Sequence, residues 1–354
     1  MFYEIARRDD MSTAKSPSGT ASIRDVARQA GVSPATASRA LRGDTAVVPE
    51  TRERVVRAAR ELAYTVPGRR PRLVGVLARY PTQWFFANAI TAIERSLRVA
   101  GYGLVLYNIG DSAGRQLFFE EVLPRRELDG LLIVATSFEP RERAALDAAG
   151  VPIVVLGGGA PGLPRAGIDD AEGARMAVRH LLGLGHRDIG LISFAPEGEG
   201  GLETVNARRA GMLSALADAQ AQPRPEWLIT RESTVHGGVL ATEELLTRSR
   251  LPSALFAMSD EMALGTLATL RRAGIAVPGQ ISVIGFDDHE MAAIFDLTTI
   301  RQPVHEQART ATELLLNELA GPGPDGGPSH NIDLPTRLVV RGTTGPVGES
   351  PRDR

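Results

Sequence analysis

The chain has 354 residues, 43% of them apolar, with no cysteine and a formal net charge of −2. That length implies more than one domain at about 100–200 residues each, and the missing cysteine excludes a disulfide framework or thiolate metal centre and fits a reducing, cytoplasmic setting. No apolar run approaches the about 20 residues of a membrane span, so no membrane partner is expected, and the near-neutral balance excludes a uniformly basic nucleic-acid binder.

Residues 1–21 are polar and mixed, and they read as a disordered arm. They lack the apolar core of a secretory signal, and Met11 is an alternative start. Organised sequence begins at Ser22. Ser22 and Asp25, three apart, form a capping box for a short helix whose apolar face is Val26, Ala27 and Ala30. Ala30-Gly31-Val32 makes a turn, with Gly31 open to positive φ. Ser33 then caps a second helix with Pro34 at its first position, where a missing N–H costs nothing. Two short helices joined this way form a helix-turn-helix, whose second helix lies in the DNA major groove. A third helix follows from Val48 towards Tyr64. Between Ser22 and Arg72 eleven arginines face five acids, a surplus of six positive charges, so the remainder of the chain is acidic. A basic N-terminal unit on an acidic body is the electrostatic footprint of a DNA reader.

The order of residues from Ser22 to Tyr64, about forty positions in register, resembles the DNA-binding headpiece of the lactose repressor (LacI) family. The resemblance implies a double-stranded operator DNA partner and gives the candidate contacts Ser33, Pro34, Ala35, Thr36, Ser38, Arg39 and Arg42. Pro34 and Ala35 are small and apolar, suited to a thymine methyl but not to bidentate hydrogen bonds. Arg39 is the long polar reader of that face, for guanine O6 and N7 or, alternatively, for a phosphate. Ser33, Thr36 and Ser38 suit phosphates, or caps and solvated hydroxyls. Arg52 and Arg54 are weaker candidates that could pair with Glu50 or Glu53.

Residues 65–72 are a shortened linker. Relatives usually carry a hinge helix here, whose leucine wedges into the minor groove. Pro67, Gly68 and Pro71 oppose such a helix in so short a span. Arg69 and Arg70, with Arg72, are expected instead to track phosphates or a narrow minor groove.

Beyond the linker, apolar strands at 73–78, 102–108, 131–134, 153–156, 189–192, 254–257 and 281–286 alternate with helical segments, the first at 86–100. This pattern implies an α/β fold with doubly wound parallel sheets, and so many units imply two sheets. The segments 177–187, 260–265, 285–288 and 297–303 resemble the family's effector-binding region, similar to periplasmic sugar-binding proteins. The resemblance implies one domain over 73–342. Lobe one would hold about 73–168 and 301–323, lobe two about 169–297 and 334–340, with 321–328 a loop and 343–354 a tail. No leucine heptad follows Gly342, so a homodimer is the expected assembly.

The family pattern gives the interlobe cleft Phe85 and Phe86 for stacking a ring, Arg208 of Arg-x-x-Gly, and Asp287 of Ile-Gly-Phe-Asp-Asp. A carboxylate and a forked guanidinium suit a polyhydroxylated ligand. Phe86 could be core, Arg208 could pair with Glu203, and Asp287 could cap a helix. Gly157 and Ser259 stand where relatives often carry an acid and an asparagine, and Ser233 where an aromatic is frequent. These departures speak against an ordinary hexose and leave a phosphorylated sugar, a nucleoside or another small metabolite open. Ser193 and Asp170 are further cleft candidates. The expected function is a transcriptional regulator, a repressor in most relatives, controlled by a small-molecule effector and needing no cofactor. A transport-type binding protein and an enzyme are the alternatives. Against the enzyme, there is no nucleophile elbow, metal-spaced cluster or Walker loop, and Gly157-Gly158-Gly159 lacks the following lysine.

Overall fold

The computed structural model describes residues 21–42, 44, 46–62, 64, 72–159, 162–194, 202–321 and 331–348. The chain divides into two units, Met1–Arg70 and Pro71–Arg354.

In the first unit α1 (Ile23–Ala30) opens with the capping box: the Ser22 hydroxyl accepts from the Asp25 N–H, and the Asp25 carboxylate accepts from the Ser22 N–H at 2.9 Å. Gly31 closes α1 at φ 65°, a left-handed turn that a Cβ would strain. α2 (Pro34–Arg42) turns Ala37 and Ala40 inwards, and α3 (Pro49–Glu61) contributes Val55, Ala58 and Ala59. Together with Val26, Ala27 and Val47 these small side chains make the core, so the three helices approach closely.

The second unit is built on two sheets of six strands each. The first has the order β11-β5-β4-β3-β1-β2, with β1 (Leu73–Ala78), β2 (Gly103–Asn108), β3 (Gly130–Val134), β4 (Ile153–Leu156), β5 (Arg165–Gly167) and β11 (Asn331–Asp333), all parallel. One face is covered by α4 (Trp84–Val99) and α12 (Val304–Ala320). The second sheet has the order β12-β10-β9-β8-β6-β7, with β6 (Ile189–Phe194), β7 (Leu228–Arg231), β8 (Ala254–Ala257), β9 (Ser282–Asp287), β10 (Thr298–Arg301) and β12 (Arg337–Val339). Among the described residues only the β10–β12 pair is antiparallel. Helices α7 (Asp170–Gly183) and α8 (Leu202–Asp218) cover one face, α9 (Val235–Leu246) and α10 (Asp260–Arg272) the other. Helices α5 (Ser112–Leu117) and α6 (Pro140–Asp147) belong to the first lobe and α11 (Glu290–Ile294) to the second.

The chain passes between the lobes at 168–169, 302–303 and 334–336. Several boundaries differ from expectation. The strand at 298–301 belongs to the second sheet, where Thr298 and Thr299 are fully buried because their hydroxyls are bonded: Thr299 donates to Asp260 at 2.7 Å and Thr298 pairs with Thr344 at 3.0 Å. Polar threonines in a core strand give no apolar signal. β5 and β11 are three residues each, too short to read. The expected tail is fixed as far as it is described. Thr343 bridges β9 through its carbonyl to the Val283 N–H and its hydroxyl to the Val283 carbonyl, and Val347 donates to Leu184. His186 is buried beneath this segment, contacting Ser253, Ser282 and the Gly345 carbonyl, and burial lowers its pKa.

Candidate functional site

In the second unit, the carboxyl ends of the strands in both sheets meet across a cavity of about 390 Å³. Phe85, Phe86, Gly157, Arg208, Ser259 and Asp287 all line it. Asp170 and Ser233 do as well; Ser193 does not, its hydroxyl being bonded to Thr230 at 2.7 Å within the sheet.

Phe85 and Phe86 occupy the first turn of α4. Phe86 is 8% exposed and packs into the core with Val304 and Ala308, so it is wall and core together. Its ring meets Phe85 edge-on at 5.5 Å and Tyr80 at 5.8 Å. Half-buried Phe85 is left as the ring that faces the cavity. Gly157 contributes backbone at φ 68°.

Arg208 is placed by Gly211: a Cβ there would lie 2.0 Å from the Ala171 carbonyl oxygen, so only glycine lets α8 lie this close to the start of α7. The Arg208 guanidinium donates through Nε to Asp170 at 2.8 Å and through Nη1 to the Met258 carbonyl, and it stacks 3.7 Å from the Phe286 ring centre. Its partner is therefore Asp170 and not Glu203. Burial raises the Asp170 pKa, while the Arg208 charge opposes the rise.

Asp287 does not cap a helix; His289 caps α11. Asp287 instead holds φ 130°, a conformation that L side chains rarely adopt, and accepts from Gln302 Nε2 at 2.5 Å. The adjoining Asp288 is anchored by Arg341 at 2.6 Å and Arg301 at 2.5 Å, which over-determines this strained turn. Burial raises the Asp287 pKa, and the Arg208 charge works against it. Asp260, behind it, is raised by burial and by the Asp287 charge. Ser259 caps α10, accepting from the Met262 N–H at 3.3 Å.

Several wall residues escape sequence reasoning. Glu261 lines the cavity with its pKa pushed up to about 7, by burial and then by Asp287. The Trp84 backbone N–H works against that rise. The Trp84 ring stacks on His289 at 5.3 Å, and its indole N–H donates to Glu290. Gln302 and Gln307 also line the cavity. A glutamine inside the buried stripe of α12, beside Val304, Ala308, Ala311 and Leu315, was the available signal for Gln307. Among the described residues no group of three His, Cys, Asp or Glu is arranged to hold a metal ion.

In the first unit, Ser33, Pro34, Ala35, Arg39 and Arg42 are exposed, and Thr36 and Ser38 are half-buried. The Ser33 hydroxyl accepts from the Thr36 N–H at 3.1 Å and pairs with the Thr36 hydroxyl at 2.8 Å, so it caps α2 and holds the reading face. Arg52 supports the fold, donating to the Asp44 carbonyl at 2.5 Å, and pairs with neither neighbouring glutamate. Arg69 and Arg70 lie outside the described residues. Arg72 belongs to the second unit, exposed, with its guanidinium 5.2 Å from the Tyr102 ring centre.

Residues 22–66 match the bacterial regulatory proteins of the lacI family, and residues 178–344 match the periplasmic binding protein-like domain. The chain is 33% identical over 334 residues to the HTH-type transcriptional repressor PurR of Pectobacterium carotovorum subsp. carotovorum, covering 91% of this chain and 96% of that one. The chain belongs to the lacI family. Lac-family likeness extends to the whole architecture. The lac repressor dimer bound to operator and the anti-inducer ONPF superposes with a TM-score of 0.78 at 27% identity, covering 92% of this chain and 100% of that one. The complex of the transcriptional regulator CelR with cellobiose gives 0.69 at 30% identity, over 91% and 99% of the two chains. A LacI family regulator from Enterococcus faecium with bound ribose gives 0.67 at 30% identity, over 78% and 99%. These relatives are transcriptional regulators, and this lacI-family chain is a transcriptional regulator with a helix-turn-helix unit and a two-lobed unit. No described helix is long and apolar enough to cross a membrane.

Proposed function

We propose that the chain is a homodimeric, cytoplasmic transcriptional repressor without enzymatic activity, which reads a near-palindromic operator and is released from or held on it by a small molecule in the cleft. The observation that carries this is the exposed face of α2, with Pro34, Ala35 and Arg39 outward and Ala37 and Ala40 in the core. A basic helix-turn-helix so presented suits the major groove, and a dimer sets two half-sites. Arg39 reads a guanine; Ser38, Thr36, Arg42, Arg69 and Arg70 hold phosphates. Phe85, Phe86, Gly157, Arg208, Ser259 and Asp287 surround the effector. The composition of the linker, with Pro67, Gly68 and Pro71, opposes a hinge helix, so no leucine is expected to wedge the operator centre.

Binding-site selection from a randomised duplex library at fixed salt tests this. Recovery of two inverted half-sites with a tolerant centre supports it, and Arg39→Ala then relaxes one base position at a cost of about 1–3 kcal/mol. Purely salt-dependent, sequence-blind binding would refute it. A fixed central step that is kinked in a DNA complex would refute the linker assignment.

A further inference from the structure

Trp84 stands between two residues that line the cavity, Gln83 and Phe85, yet does not line it itself. Its ring lies over His289 of the second lobe, the ring centres 5.3 Å apart and the planes at 30°, and its indole N–H donates to the Glu290 carboxylate. Trp84 is also rooted in the first lobe, packing against the core shared by α4 and α12. One half-buried side chain therefore touches both lobes at the rim of the cleft.

The surface that receives it is held fast. The His289 backbone N–H donates to Asp260 at 2.8 Å, and the imidazole Nδ1 accepts from the Met291 N–H at 2.9 Å, so the ring cannot turn without uncapping α11. Asp260 is fully buried and accepts in turn from the Thr299 hydroxyl at 2.7 Å. The start of α4 is the opposite. Gln83 makes no side-chain cap and the first turn carries no acid, so the helix begins without a cap of its own. The Trp84 N–H, the first of these donors, favours the ionised Glu261 carboxylate of α10 instead. At the rim the contact stays close to water, with the Glu290 side chain 71% exposed. Such a contact adds little to folding, but it suffices to bias two lobe arrangements of similar free energy.

We propose that Trp84 is a positioning residue that clasps the first lobe to the second at the cleft mouth and holds the lobes closed before any ligand is present. It acts through Phe85, the next residue of the same turn, whose ring faces the cavity. The clasp is worth about tenfold in the ratio of closed to open protein, the size of one aromatic contact with a hydrogen bond.

The chain has no cysteine, so two spin labels can be placed at chosen sites. Ala144→Cys on α6 of the first lobe and Ala217→Cys on α8 of the second are both exposed and outside the clasp. Pulsed dipolar measurement on the full chain, diluted into an excess of unlabelled chain, reads the interlobe distance within one protomer and needs no ligand. Trp84→Ala is expected to lengthen and broaden that distance. His289→Ala, which leaves α4 untouched, is expected to do the same, and Trp84→Phe, which keeps a ring over His289, to restore most of the short population. A merely structural Trp84 would lower the melting temperature and leave the distances of the folded protein as they were. Unchanged distances in Trp84→Ala or in His289→Ala would overturn the proposal, as would a wild-type chain already as open as the variants. Should Trp84→Ala fail to fold, His289→Ala decides alone.

Discussion

Where the first lobe meets the cleft it presents mostly rings and backbone, Tyr80, Phe85, Phe86, Ala135 and Gly157, beside the buried guanidinium of Arg79 and the polar side chains of Thr82, Gln83 and Gln307. The second lobe presents the carboxylates of Asp170, Glu232, Glu261 and Asp287, together with Arg208, Ser233 and Ser259. Both walls are made from the same places, the strand ends and the first turns of helices. The difference lies in what those turns carry. α4 begins with Trp84, Phe85 and Phe86 and has no acid in its first turn, whereas α7 begins with Asp170 and α10 with Asp260 and Glu261. Acids are favoured there by the helix dipole, so the second lobe carries buried carboxylates where the first carries rings and the Arg79 guanidinium. One wall is therefore set by packing and the other by electrostatics, and each should fail in its own way.

The largest expected effect is on the charged wall. Arg208→Met leaves Asp170 buried without its cation and the Met258 carbonyl without its donor; breaking such a pair costs about 3–5 kcal/mol. Urea unfolding of the second unit measures it. A loss under about 1 kcal/mol would mean that water reaches Asp170 and that the pair behaves as a surface one. On the apolar wall the contrast is internal. Phe86→Ala opens the core shared with α12 and should cost about 3–5 kcal/mol. Phe85→Ala should cost clearly less and act instead on ligand affinity. Equal stability losses at the two positions would erase the distinction between wall and core.

A smaller effect is expected at the cleft mouth. Trp84→Phe keeps a ring over His289 and removes the indole N–H that serves Glu290, a loss of about 0.5–1.5 kcal/mol for a half-buried aromatic contact. It should shift the ligand concentration at half-saturation, read by thermal unfolding, and leave the headpiece melting unchanged. An identical binding curve would show that the indole contacts to His289 and Glu290 do not bear on the cleft.

The same division explains what the sequence disclosed. The headpiece is legible residue by residue, because caps, turn and small core residues are local: Ser22, Asp25, Gly31 and Pro34 do in space what their order suggests. The long apolar strands are legible for the same reason. β10 is not, since its core residues are threonines satisfied by Asp260 and Thr344, partners distant in sequence. Asp287, Arg208 and Phe85 reach the cleft as the motifs implied, but Glu261 and Gln307 are defined by what stands opposite them. Gln307 is left with an unbonded oxygen where α12 packs on the sheet, and Glu261 is raised by burial and by Asp287, which the fold and not the local sequence brings beside it.

The sharpest test of the second lobe's electrostatics is a pH dependence. The Glu261 carboxyl is raised from its ordinary value of 4.5 to about 7, by burial and then by Asp287, with Glu290 adding to the rise and the Trp84 N–H opposing it. A carboxyl raised in the folded state binds its proton more tightly folded than unfolded. Its contribution is absent below the unfolded value and grows increasingly unfavourable as pH climbs towards the folded one. From about pH 4.5 to about pH 7 this group therefore lowers stability as pH rises, the reverse of a salt-bridged carboxylate. Asp260 and Asp287, also raised, act in the same sense. His186 and His289, lowered by burial, act oppositely, losing stability as pH falls below the unfolded histidine value, so the bare profile mixes both signs. The difference between wild type and Glu261→Gln isolates one. In denaturant titrations across that window the variant should gain on the wild type steadily as pH rises and hold a constant lead above about pH 7. Parallel profiles would mean that Glu261 titrates as an ordinary surface acid. The cleft mouth would then be wet, and the packed wall of the first lobe would be the only closed side of the site.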